Sequence, residues 1–128
     1  MGMEKRKFPR INTNLKIGYE FVKWNEKKLI KLEKPNFTNI HDISISGIGL
    51  SKLPELKQNL LGQLSRGRKK VRLGIYLPDR EIPLMTFARL IWYQFGSGEN
   101  EIKRYGFVFL DVSVSFFEEM TIFIKKHL

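Results

Sequence analysis

Residues 41–50 read HDISISGIGL, a segment that sets Asp42, two serines and two glycines among isoleucines. Isoleucine favours strands, whereas Asp and Gly are depleted from them, so small polar groups stand here beside a sheet. Along a strand, Asp42 and Ser44 share one face about 7 Å apart, an acceptor and a hydroxyl just ahead of a turn. Gly47 lets backbone amides approach a ligand closely. The same residues also suit support of a hairpin turn through local hydrogen bonds, and both readings stay open on these residues alone. A second grouping is RKFPR, which places Arg6 and Arg10 four apart. Two guanidiniums on one arm can reach phosphates, each forking onto two acceptors. Arg68 and Arg72 repeat the spacing inside RGRKKVR, where they read as a solvated or hairpin-edge charge run.

Catalytic constellations do not assemble. His41 and His127 are the only histidines and there is no cysteine, so no zinc-type His/Cys ligand set can form. His41, Asp42 and Ser44 crowd one strand, where neighbours 41 and 42 face opposite ways, whereas a triad needs its base within reach of both partners. Gly47-Ile48-Gly49 starts like a dinucleotide fingerprint, but Lys52 occupies the third position and no helix follows. Neither an enzyme nor a cofactor protein is expected.

The elements that must position these residues follow from periodicity. The chain has 128 residues and a net charge of +10, an excess that attracts polyanions, phosphorylated ligands or anionic surfaces. Residues 1–13 read as a flexible basic arm, with Pro9 opposing an early helix. Residues 14–128 then form one domain. Leu15, Ile17, Tyr19 and Phe21 alternate with Lys16, Gly18 and Glu20, the pattern of a half-buried strand. Strand character returns at 37–45 and 48–53, then along Val71–Leu77, Ile82–Trp92 and Tyr105–Phe109. Residues 25–36 are a charged excursion, and LPELKQNLLGQL carries about one helical turn. At the end, Ser115 and Glu118 fit a capping box. Phe116, Met120, Phe123 and Ile124 recur at helical spacing, and Lys125 and Lys126 suit the helix dipole. The expected fold is mainly β: a small six-stranded antiparallel barrel, closed by a C-terminal helix. MGMEKRKF lacks the apolar stretch of a secretory signal and no run is long enough to span a bilayer. A cytoplasmic protein without membrane insertion is expected.

Taken jointly, EKRKFPRI and DISISGIGL resemble the PilZ domain family, with weaker echoes in ARLIWY and RYGFVFLDV. The resemblance runs over residues 4–128. It implies a receptor for cyclic di-GMP in bacterial second-messenger signalling, with Arg6, Arg10, Asp42, Ser44 and Gly47 as ligand-binding residues. Guanine offers O6 and N7 as paired acceptors for an arginine fork. An ionised Asp42 accepts from guanine N–H groups, and Ser44 with the backbone near Gly47 donates to phosphate or ribose oxygens. The implied partners are cyclic di-GMP and an unidentified downstream protein. Two other readings are a small basic barrel binding single-stranded nucleic acid, which would account for the charge but is not the expected partner, and a PilZ-like interaction module without nucleotide binding, against which the five motif residues stand.

Overall fold

Alternation along the chain becomes alternation across a wall. In the computed structural model, which describes residues 9–53, 56–96 and 102–128, seven strands and two helices form. They are β1 (Ile11–Asn12), β2 (Lys16–Lys23), β3 (Asn36–Ile43), β4 (Gly47–Leu50), α1 (Gln58–Ser65), β5 (Lys69–Ile75), β6 (Leu84–Phe95), β7 (Ile102–Leu110) and α2 (Val114–Lys126). The strand order is β1-β3-β2-β5-β6-β7-β4, and β4 returns to pair with β3. That last pairing closes six antiparallel strands into a barrel and leaves β1 as an extra strand on β3, where Ile11 faces Ile43. The expected six-stranded barrel with a C-terminal helix is the observed fold. Two residues of the expected arm, Ile11 and Asn12, are strand, and Ile11 joins the core. Residues 1–8 of that arm lie outside the described residues.

The barrel is filled from every strand in turn, by Ile17, Ile43, Ile48, Leu73, Ala88 and Phe107 among others. Helix α2 lays Phe116, Met120, Phe123 and Ile124 onto this core, the face its spacing predicts, and Phe116 meets Phe109 edge-on at 5.0 Å between centroids. Each such side chain contributes roughly 1.5–3 kcal/mol by leaving water. The helix begins earlier than the capping-box pattern predicts. Its N-cap is Ser113, whose Oγ accepts from Phe116 N at 3.1 Å. Asp111, at φ 46°, turns the chain straight out of β7, so Ser115 already lies in the first turn. Helix α1 spans two turns where one is expected, because Leu64 packs it into the core. No helix among the described residues is long and apolar enough to cross a membrane.

The excursion after β2 is clamped to the outer face of the barrel. Arg72 Nε donates to Lys28 O at 2.8 Å, Nη1 to Glu20 Oε1 at 2.7 Å, and Nη2 lies 3.4 Å from Glu26 Oε2. Glu20 Oε2 accepts in turn from the amides of Glu33 and Lys34. Arg72 is therefore no solvated charge, contrary to its sequence context. It is buried in the wall, while Arg68 is exposed.

Candidate ligand-binding face

The β3–β4 hairpin and the start of the described chain bring Arg10 and Asp42 together. Asp42 lies opposite Asn12 of β1 on one side and Gly49 of β4 on the other. Arg10 Nε and Nη2 both reach Asp42 Oδ1, at 3.0 and 2.8 Å. A second guanidinium arrives from β7, where Arg104 Nη2 stands 3.5 Å from Asp42 Oδ2. One carboxylate thus faces two arginines, and one positive charge has no counter-charge in the cluster. The three side chains retain 23%, 17% and 35% of their surface for Arg10, Asp42 and Arg104. Such a surplus beside a low-dielectric wall attracts an anion.

The floor beside this cluster is backbone. A methyl group at Gly49 would stand 2.8 Å from Asp42 Oδ1, so glycine is what allows the carboxylate to lie along the strand. At Gly47 the obstacle is different: a methyl would stand 2.2 Å from the Phe107 carbonyl oxygen of the neighbouring β7. Close strand approach therefore requires Gly47, whatever it does for a ligand. The Trp92 ring of β6 covers Gly106, and a cleft of about 50 Å³ opens between Arg10, Gly47, Trp92 and Gly106.

Of the residues singled out by sequence, Arg10, Asp42 and Gly47 border this one face. Arg6 lies outside the described residues. Ser44 does not project beside Asp42, because β3 ends at Ile43 and the chain turns. It is buried, its Oγ accepting from Ser46 N at 3.1 Å and paired with Ser46 Oγ at 3.0 Å, while its amide donates to Gly47 O. This is the local turn chemistry of a serine. Arg104 and Trp92 are additions that sequence reasoning missed. The inward run Tyr105, Phe107 and Phe109 does place Arg104 on the outer face, but only the β4–β7 pairing carries it to Asp42. Trp92 is displaced by a register shift in β6–β7 between Leu90 and Trp92.

No family model matches the chain, and no curated protein matches it by sequence. Among solved structures it is similar to the Bacillus subtilis inhibitor of motility MotI/DgrA, with a TM-score of 0.65 and 16% identity over 97% of this chain. It is also similar to the PilZ domain of YcgR from Escherichia coli, solved with c-di-GMP, with a TM-score of 0.59 and 17% identity over 97% of this chain. A longer YcgR structure in complex with c-di-GMP gives a TM-score of 0.54 at 17% identity over 96% of this chain. The chain spans about half of the motility inhibitor (51%), 46% of the longer YcgR chain and 92% of the isolated PilZ domain. Its fold is PilZ-like.

Proposed function

We propose that the chain is a receptor for cyclic di-GMP, bound on the Arg10–Asp42–Arg104 face without turnover. The observation that carries this reading is the pair of guanidiniums converging on a single carboxylate. Two phosphodiester charges supply the missing anion, and guanine O6 and N7 fit an arginine fork. The similarity to a PilZ domain solved with c-di-GMP supports the same ligand.

The size of the cleft constrains how the ligand sits. Pockets that enclose a small molecule run to about 300–1,000 Å³, and this one holds about 50 Å³. A cyclic dinucleotide must therefore lie over the face, with a base against Trp92, and be covered from outside. The segment carrying Arg6 is the natural cover, as Arg6 stands four residues before Arg10. Ligand then exchanges one anion for another at Arg10, with phosphate or guanine taking over from Asp42. Asp42, released, accepts from guanine N–H groups. The backbone around Ser44 and Gly47 supplies the rim, and the covered face is a new surface for a partner protein to read.

Calorimetry with cyclic di-GMP, GMP and a short mixed-sequence oligonucleotide tests the reading. Saturable binding of cyclic di-GMP alone, weakened at least about tenfold in Arg10→Ala, is the expected outcome. Binding of the oligonucleotide with no response to cyclic di-GMP would transfer the function to single-stranded nucleic acid.

A further inference from the structure

The excursion from residue 24 to residue 35 poses a separate question. Arg72 and Glu20 fix its backbone, and Leu32 fits over Gly18 and Gly74, which face each other across β2 and β5. A methyl at Gly18 would stand 2.6 Å from Leu32 Cδ1. So firm an anchorage ends by holding Ile30 in water, 82% exposed. Ile82, from the β5–β6 connection, is 68% exposed and shares with Ile30 and Tyr76 a depression of about 250 Å³. Phe37, half exposed, adjoins Tyr76 at 6.3 Å between centroids.

Lysines surround this apolar patch. Lys16 Nζ lies 4.6 Å from the Phe37 ring centroid and 5.1 Å from that of Tyr76. Lys31 lines the depression, and Lys28 and Lys34 come from the same excursion, whereas Lys27 lies toward Trp24 and Lys70. Of Lys16, Lys28, Lys31 and Lys34, only Lys28 makes an ion pair among the described residues, with Glu33 at 3.2 Å. The other acids close by in sequence are Glu26, which faces Arg72, and Asp79 and Glu81 of the β5–β6 connection.

We propose that this face is a peripheral docking surface for an anionic bilayer. Charge complementarity selects the occupant together with the aliphatic tips. Nucleic acid offers phosphates to lysines but no apolar phase for Ile30 and Ile82. A bilayer offers both: anionic headgroups for non-directional ammonium charges, and an acyl boundary a few ångströms below for exposed aliphatic side chains. Its position suits the role. The patch shares no residue with the Arg10–Asp42–Arg104 face: on β3, Phe37 stands near the start of the strand and Asp42 near its end. The proposal does not rest on the cyclic di-GMP reading.

The test is flotation of the full chain, without nucleotide, on vesicles of roughly three parts phosphatidylcholine to one part phosphatidylserine. Wild type should float with these vesicles, detach as salt rises, and ignore phosphatidylcholine alone. Ile30→Ser, an exposed change that the fold tolerates, should lower partitioning at least several-fold with an unchanged circular dichroism spectrum. Each of Lys31→Gln and Lys34→Gln should lower it about fivefold. Charge-matched Lys125→Gln on α2 should leave it unchanged. Absence of wild-type flotation overturns the proposal. So does equal loss in the α2 variant, which would mean attraction by net charge alone. Self-association abolished by Ile30→Ser, in a chain that ignores vesicles, would assign the patch to a second copy instead.

Discussion

Arg72 and Arg10 each end at a carboxylate, and they differ in what is left over. Around Arg72 the accounts close. Its three donor nitrogens meet Lys28 O, Glu20 and Glu26, and the two oxygens of Glu20 take Arg72 and two backbone amides. The Arg72 and Glu20 side chains are 5% and 11% exposed. Around Asp42 two guanidiniums share one carboxylate, all three remain reachable, and the floor is glycine and indole. Both arginines end an Arg-x-x-x-Arg pair. The spacing therefore carries no function by itself. What separates a structural clamp from a ligand site is whether the protein has already supplied every acceptor.

Arg72→Ala should break the clamp and give the largest effect. It leaves the largely covered Glu20 carboxylate without its cation, at a cost of about 3 kcal/mol. Urea denaturation should show this loss, while cyclic di-GMP affinity of the folded protein stays unchanged. A stable Arg72→Ala protein with impaired ligand binding would merge the two clusters into one site.

Arg10→Ala should show the opposite profile. A lost charge-assisted contact weakens the ligand by about 1.5–3 kcal/mol, tenfold to more than a hundredfold. The pair, still partly open to solvent, itself contributes about 1 kcal/mol to folding. Titration and thermal melting of the same variant separate these quantities. Arg104→Ala should follow in kind with a smaller change, since its contact to Asp42 is the longer one. If Arg10→Ala melted far below wild type yet bound normally, Arg10–Asp42 would be a second clamp.

A subtler division lies within the glycine floor. Gly47→Ala drives a methyl into the Phe107 carbonyl, which is backbone and cannot yield, so about 1–3 kcal/mol of stability should be lost. Gly49→Ala meets only the Asp42 carboxylate, the end of a side chain that can rotate. It should re-aim Asp42 and alter ligand affinity with little change in melting temperature. Equal destabilisation by both substitutions would place Asp42 among the supports of the hairpin.

Much of this architecture is legible in the chain because local patterns and the fold agree. The β2 alternation, the buried face of α2 and the excursion between β2 and β3 follow from periods of 2 and 3.6 and from turn residues. What sequence could not yield depends on who stands next to whom. Ser44 looked like a partner of Asp42 two residues away, but one strand end between them turned it inward. Arg104 is 62 residues from Asp42 and joins it only when β4 and β7 pair. Arg72 looked solvated because its neighbours are cations, whereas its burial comes from a loop 44 residues earlier in the chain. Charge pairing across a closed sheet is a property of register, and register is set by the whole barrel.

The smallest effect expected concerns acid. Burial opposes ionisation of Glu20, but hydrogen bonds from Lys34 N, Arg72 and Glu33 N outweigh it and hold the carboxyl below the ordinary glutamate range. An unfolded glutamate titrates near pH 4.3. In the folded chain Glu20 keeps its charge to lower pH, so its contribution is fully present above that value and disappears as pH falls through the folded one. Glu20→Gln removes this contribution at every pH. The difference in urea midpoint between wild type and Glu20→Gln should therefore be constant at neutral pH and narrow as acid is added below about pH 4.3. Taking the difference cancels the other carboxylates, which titrate in both proteins. A gap that stays constant down to acid unfolding would mean Glu20 is held by geometry and not by its charge. The clamp would then be a set of hydrogen bonds that any acceptor could complete, and its contrast with the anion-short cluster at Asp42 would rest on burial alone.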